Sequence, residues 1–284
     1  VNADRSFGAA AVQIEPVFGD VAANLGLIER AVRQAAAGGA ELVVLPELCT
    51  TGYMFADRAE AESLAEPVTG PTVAALAALA AELRLHLVAG FAERDGDQLF
   101  NSAVLLGPQG LIGSYRKVHL WDQENAVFQP GDLGLPVFDT QLGRLALLIC
   151  YDLWFPEASR ALALQGAEVL CVPTNWVPIP GQRAGAAAMA LTLCQAAAHV
   201  NSIYLVAADR VGVERGQPFI GQSAIVAPTG WPAAEPASAT EPAVVAARID
   251  PGAGLRLRTW NQYNDPVADR RPEVYAAISP VAAS

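Results

Sequence analysis

Apolar runs of strand length alternate along this chain with longer alanine-rich stretches. GAAAVQI (8–14), ELVVLPE (41–47) and LHLVAGFAE (85–93) read as strands. Between them, VAANLGLIERAVRQAAAGGA (21–40) reads as a helix stopped by Gly38 and Gly39, and TVAALAALAAELR (72–84) as one entered through Gly70 and Pro71. DGD at 95–97 is a hairpin turn, and LFNSAVLLG (99–107) pairs with LIGSYRKV (111–118) around PQG. The second half repeats the rhythm. RLALLIC (144–150), EVLCVPT (168–174) and SIYLVAADR (202–210) are strands, with FPEASRALALQGA (155–167) and RAGAAAMALTLCQAAAHV (183–200) as the helices between them. IGQSAIVAP (220–228) and AVVAARID (243–250) are late strands, and GWPAAEPASATEPA (230–243) is a surface loop.

Strands that lack a polar alternate are covered on both faces, so the pattern predicts an α/β protein with helices over its sheets. We expect one domain over residues 1–284, in two similar halves, as a four-layer α-β-β-α sandwich. The 183–200 helix is apolar on nearly every face, which predicts burial all round, under other layers or in a subunit interface.

Composition adjusts this picture little. Hydrophobic residues make up 52% and charged residues 17% of the 284, enough for a large core. No apolar run reaches the roughly 18–20 residues of a bilayer span, and the first residues lack the basic-then-apolar order of a signal peptide. A cytoplasmic protein that does not enter a membrane is expected. The formal net charge of −11 with scattered arginines makes a poor nucleic-acid binder, because neutralising phosphates takes a basic patch.

One compositional detail points to chemistry. Lys117 is the only lysine, and the other seventeen cationic side chains are arginines. Lysine is a compact, tunable point charge, whereas guanidinium is a wide planar fork. A lone lysine directly after Arg116 is therefore a candidate for a site that arginine cannot fill.

Ligand sites of α/β sheets form at the carboxyl ends of strands, and three segments carry reactive groups there. ELVVLPE ends in Glu47, LIGSYRKV carries Lys117, and RLALLIC ends in Cys150. After Cys150, Pro156 suits the first turn of a helix, with Asp152 and Glu157 near its N-terminus. Strand, sharp turn and helix is the geometry of a nucleophile elbow, and a helix N-terminus favours thiolate. Cys49, Cys171 and Cys194 form no CxxC pair with Cys150 or each other, so neither a zinc site nor a redox motif is signalled. Cys171 and Cys194 read as small buried hydrophobes. Of the three histidines, His86 reads as core and His199 as a helix-end residue. His119 is the one plausible base for a Cys-His pair, or else braces a loop. Glu47, in apolar surroundings, would have its pKa raised toward that of a general base. Glu124 lies seven residues past Lys117 in the loop-like WDQENAVFQPGD.

VVLPELCTTGY, GSYRKVHL, FQPGD, LLICYDLWFPEASRALALQGAEVL, ADRVG with FIGQSAIVAPTG, and DRRPEVY together resemble the nitrilase superfamily of carbon–nitrogen hydrolases, over almost the whole chain. The resemblance implies a Glu-Lys-Cys triad at Glu47, Lys117 and Cys150, with a further glutamate at Glu124. It implies an oxyanion hole from Lys117 and the backbone N–H of Tyr151, homodimers or larger assemblies, and neither a metal nor an organic cofactor. Lys117 would then be the ammonium that fits beside a small acyl group, and Arg116 ordinary structure or surface. Tyr151-Asp152 after the cysteine is similar to amidase branches, where nitrilases proper read Trp-Glu. The expected substrate is a small non-peptide amide. Nitriles and N-carbamoyl amines are alternatives on the same triad, and acyl transfer ranks behind them. Tyr53, Phe55, Trp154, Asn175 and Trp176 are the expected pocket lining.

Overall fold

A computed structural model describes residues 5–182 and 187–275. The first half is built from β1 (Phe7–Gln13), α1 (Val21–Ala37), β2 (Ala40–Val44), α2 (Arg58–Leu64), α3 (Pro71–Leu83), β3 (His86–Asp95), β4 (Gln98–Gly107), β5 (Gly110–Arg116) and the single turn α4 (Glu124–Val127). The second half holds β6 (Val137–Thr140), β7 (Gly143–Leu147), a 3₁₀ turn (Cys150–Trp154), α5 (Pro156–Leu164), β8 (Val169–Pro173), α6 (Met189–Asn201) and β9 (Tyr204–Ala208). The short pair β10 (Val213–Glu214) and β11 (Gln217–Pro218), β12 (Ala224–Val226), β13 (Ala243–Ile249), α7 (Ala253–Leu257) and α8 (Pro272–Tyr275) follow.

Two sheets form. One has the order β13-β1-β2-β3-β4-β5, the other β12-β9-β8-β7-β6. At the heart of each lie three parallel strands, β1-β2-β3 and β7-β8-β9, with antiparallel strands outside them. The helices between those parallel strands are the alanine-rich segments of the sequence, as a parallel crossover requires. The two similar halves expected from the sequence are these two β-α-β-α-β units.

Side chains alternate across each strand and so sort into layers. Ala9, Ala11, Leu42 and Val44 point to the second sheet and share a core with Leu147, Cys171 and Val206, which lie side by side on one face of it. Their neighbours Ala10, Val12, Val43 and Leu45 point the other way, against Ile28 and Val32 of α1 and Leu76 of α3. Helices α5 and α6 cover the far face of the second sheet. The layering is α-β-β-α, as expected. Each fully buried Leu, Ile or Val contributes roughly 1.5–3 kcal/mol, which explains why both faces of both sheets are apolar.

Some elements differ from the sequence reading. The ladder of β2 stops at Val44 and that of β7 at Leu147, so Glu47 and Cys150 stand on turns just beyond their strands. The predicted helix over 183–200 starts later. Its first residues, 183–186, lie outside the described residues, and α6 begins at Met189. It is not buried all round. Ala190, Leu191, Cys194, Ala197 and Ala198 face the core, whereas Met189 and Val200 are exposed. α2, α4 and β6 were not anticipated. Among the described residues no helix is long and apolar enough to cross a membrane.

Candidate active site

The chain turns sharply after β2, and Leu48 takes φ +47°. This aims Glu47 into the space between the sheets, where it is fully buried. The approach depends on Gly90 of β3, where a Cβ would lie 2.6 Å from the Glu47 Cα and 2.5 Å from the Leu48 nitrogen. Lys117 leaves the end of β5 with its N–H donating to the Asn101 carbonyl (2.8 Å) and its carbonyl accepting from Gly131 (2.8 Å). Its ammonium is fully buried between two carboxylates, 2.6 Å from Glu47 Oε1 and 2.7 Å from Glu124 Oε1. Asn101 Nδ2 also donates to Glu47 Oε1 (2.7 Å), and the Tyr53 hydroxyl donates to Glu124 Oε1 (2.6 Å).

Cys150 opens the 3₁₀ turn with φ +47°, the left-handed region. A non-glycine residue held there stores strain of order 1–3 kcal/mol. Pro156 occupies the first turn of α5, so the strand, tight turn and helix of an elbow are all present. Asp152 fastens the turn. Its carboxylate accepts from the Ile149 N–H (3.0 Å), the Tyr115 hydroxyl (2.8 Å) and the His119 N–H (2.9 Å), and lies 2.8 Å from His119 Nδ1. The His119 ring stacks on Phe155 at 3.6 Å. His119 is thus the brace of the two readings, engaged with Asp152. The charges that act on the thiol are those of Glu47 and Lys117.

The electrostatics follow from burial. Desolvation pushes the Glu47 carboxyl up to about 7, with Lys117 opposing and Glu124 adding to the rise. For Lys117, burial favours the neutral amine, but the two carboxylates outweigh it and hold the ammonium charged. The Cys150 thiol is raised well above its ordinary value by burial and then by Glu47, against weaker help from Lys117 and the Asn175 N–H. The helix N-terminus that was expected to favour thiolate is outweighed by burial. The thiol stays protonated beside a carboxyl poised to take its proton.

Glu47 Oε1 is engaged by both Lys117 and Asn101, while Oε2 is buried with no hydrogen-bond partner among the described residues. Across from it, Asn175 Nδ2 donates to the Glu47 carbonyl (2.9 Å), and Thr174 Oγ1 faces the sulfur outside hydrogen-bond geometry.

Trp154, Asn175 and Trp176 line the cavity that contains Cys150, together with Tyr151, Trp121 and Ile220. Tyr53 and Phe55 line a neighbouring cavity beside Glu124, joined to the first at Trp121 and Val177. Phe55 itself is buried edge-on between Phe18 and Phe128. Arg116 is not at the surface. It is buried in ion pairs with Glu93 (2.6 Å), Asp95 (2.8 Å) and Asp132 (2.9 Å), over the Phe100 ring. Sequence reasoning missed Asn101, whose signal was a lone amide inside the apolar β4 run, and Trp121, which nothing local distinguished.

A glutamate with one free oxygen, a buried ammonium and a strained cysteine converge here. The family model of the carbon-nitrogen hydrolases matches residues 8–258. The chain belongs to that family. It is a hydrolase of carbon–nitrogen bonds other than peptide bonds. A curated relative from Pyrococcus abyssi, named nitrilase, is 42% identical over 94% of this chain and 98% of its own length. An N-carbamoylputrescine amidase of Arabidopsis thaliana is 35% identical, covering 91% of each chain. Among solved structures, a carbon-nitrogen hydrolase from Helicobacter pylori G27 superposes with TM-score 0.88 at 28% identity, covering 98% of this chain and 99% of that one. A mutant of the amidase from Nesterenkonia sp. AN1, in complex with acrylamide, gives 0.78 at 27% identity with the same coverage.

Proposed function

We propose that this hydrolase is an amidase that converts small non-peptide carboxylic amides to acid and ammonia through a thioester on Cys150. The observation that carries the reading is the division of labour on Glu47. One oxygen is fixed by Lys117 and Asn101, and the other is bare, buried and part of a carboxyl that titrates at about 7. A general base works best with its pKa near the operating pH.

Glu47 takes the thiol proton as sulfur attacks the amide carbon. Lys117 and the Tyr151 N–H hold the tetrahedral oxyanion, an interaction realised fully only as charge develops there. Glu47 returns the proton to the leaving nitrogen, the C–N bond breaks and ammonia departs. Water then adds to the thioester with Glu47 as base, releasing the acid and restoring the thiol. Glu124 keeps Lys117 charged and in place. Splitting the reaction through a covalent intermediate lowers each barrier.

Apart from Glu47, Lys117 and Glu124, which pair with one another, the described residues that line the cavity at Cys150 carry no acidic or basic side chain. This supports an uncharged acyl group over a carbamoyl diamine. Nitrile hydrolysis is the second reading, favoured by the Pyrococcus relative. Self-association, with a second copy of the chain as partner, is proposed on the exposed side of α6, where Met189 and Val200 face outward. Native mass spectrometry would check it, and a monomer would refute it.

The test of the chemistry is intact-protein mass spectrometry after brief mixing with propionamide, benzamide, propionitrile or an N-carbamoyl amine, with ammonia release in parallel and Cys150→Ala as control. An acyl adduct on Cys150 with ammonia from the amides supports the reading. Turnover of the nitrile or carbamoyl compound alone overturns the substrate class.

A further inference from the structure

The proposed chemistry makes no use of Asp209, yet this carboxyl lies under the segment on which the thiol depends. It follows β9 directly and is fully buried. Its Oδ1 accepts the backbone N–H groups of Trp176 (2.9 Å) and Arg210 (2.8 Å), and its Oδ2 is buried with no partner among the described residues. Its own N–H donates to Ser223 Oγ (2.8 Å), and Ser223 donates to Gln13 Oε1 (3.0 Å) at the end of β1. Asp209 is therefore tied to both sheets.

β8 runs parallel beside it, with Pro173 opposite Ala208 and the Thr174 N–H donating to the Ala208 carbonyl (2.9 Å). Beyond β8 the chain enters the site as Thr174-Asn175-Trp176. There Asn175 lines the cavity that holds Cys150, and its side chain holds the Glu47 carbonyl (2.9 Å). A hydrogen bond to the Trp176 N–H grips this segment one residue past Asn175. The neighbouring Arg210 does not pair with Asp209. Its guanidinium bonds Glu214 and the Pro16 carbonyl, over the Phe219 ring, and its Nε has no partner among the described residues. Burial first pushes Asp209 well above the usual carboxylate range, with the two N–H bonds and Arg210 opposing and Glu47 adding to the rise. Both N–H bonds are accepted by the carboxylate and by the neutral acid alike.

We propose that Asp209 is a positioning residue: by holding the Trp176 N–H, it sets the Thr174–Trp176 segment so that the Asn175 side chain holds the Glu47 carbonyl at the wall of the Cys150 cavity. The inference rests on Cys150 being the nucleophile, but not on which amide is cleaved.

The test is the rate of Cys150 alkylation by iodoacetamide, followed by peptide mass spectrometry from neutral to strongly alkaline pH. It compares the parent with Asp209→Ala, Asp209→Ser and Asp209→Asn. Asp209→Ala should slow alkylation about tenfold or more, since a misplacement of about 1 Å can cost up to a hundredfold. Its pH midpoint should move, because the segment no longer fixes Glu47, whose charge acts on the thiol. Asp209→Asn keeps an acceptor in place and should restore the rate to within about threefold. A merely structural role would lower the melting temperature without moving that midpoint. Should Asp209→Ala not fold, Asp209→Ser, too short to reach both N–H groups, takes its place with the same expectations. A parental rate and midpoint in a folded Ala or Ser variant overturns the proposal alone, as does an Asn variant no faster than these. An unreactive Cys150 in the parent overturns both this proposal and the thioester chemistry.

Discussion

On the six-stranded side of the site, Glu47, Lys117 and Glu124 form a closed run of charge, completed by Asn101 and the Tyr53 hydroxyl. The five-stranded side carries no such run of charge. Cys150 sits strained at φ +47°, and among the described residues Thr174 Oγ1, Asn175 Oδ1, Trp176 Nε1 and Asp209 Oδ2 are buried without partners, against Glu47 Oε2 and Asn101 Oδ1 on the six-stranded side. Removing one partner of a buried ion pair costs about 3–5 kcal/mol, so the charged side has little freedom to rearrange. Unmade hydrogen bonds cost about 1–3 kcal/mol each and persist where a ligand can supply what is missing. The charged half sets the proton affinities of Glu47 and Lys117.

The largest effects should come from breaking the link between the halves. Cys150→Ala should abolish adduct and ammonia alike. Glu47→Gln should lower turnover by about 10²–10⁴ and remove the acid limb, which in the parent rises with pH through about 7 as Glu47 ionises. Stability supplies an independent check. The folded Glu47 carboxyl is raised above its unfolded value, so the folded state binds more protons between about 4.5 and about 7. Its contribution is fully present below that window and lost as pH rises through it. Urea melts at the two ends should show Glu47→Gln losing less stability than the parent. Equal losses would mean that Glu47 titrates normally.

Lys117→Arg keeps the charge but changes its shape. The slot is fully buried and spanned by contacts of 2.6 and 2.7 Å to two carboxylates. A planar fork must displace one of them. Turnover should fall about a hundredfold or more, with overpacking costing about 1–3 kcal/mol. Retained turnover in the Arg variant would show that charge alone suffices.

The sequence revealed the groups that stand just past strand ends better than those within or beside strands. Glu47, Lys117 and Cys150 stand just past apolar strand ends, where polar groups are conspicuous, and the alternation of runs and helices carried the layering. Glu124 was harder to place, because a glutamate in WDQENAV reads as a solvated loop charge until α4 turns it inward. Asn101 and Asp209 were hidden by their position within or beside strands. Their importance comes from partners 54 and 33 residues away, a separation that no local pattern reports. The sequence likewise shows the helix that favours a thiolate but not the completeness of the burial that opposes it.

A smaller effect is expected from Tyr53→Phe. It removes one donor to Glu124 while leaving Lys117 paired. A hydrogen bond to a charged group is worth about 1.5–3 kcal/mol, so turnover should drop roughly tenfold with the pH midpoint little moved. A loss as large as that of Lys117→Arg would make the hydroxyl a direct participant.

The smallest difference separates the two aromatic groups that the sequence ranked together as pocket lining. Trp154 faces the cavity that holds Cys150, whereas Phe55 is buried between Phe18 and Phe128 and borders only the neighbouring space. Trp154→Leu should therefore change the ratio of benzamide to propionamide turnover, by a factor set by the roughly 1–3 kcal/mol that an apolar pocket contact can discriminate, and leave the melting temperature nearly unchanged. Phe55→Leu should do the reverse, lowering stability by about 1 kcal/mol with the ratio intact. If Phe55→Leu shifts the ratio instead, the two cavities act as one pocket through Trp121 and Val177, and the acyl group reaches across the boundary into the charged half.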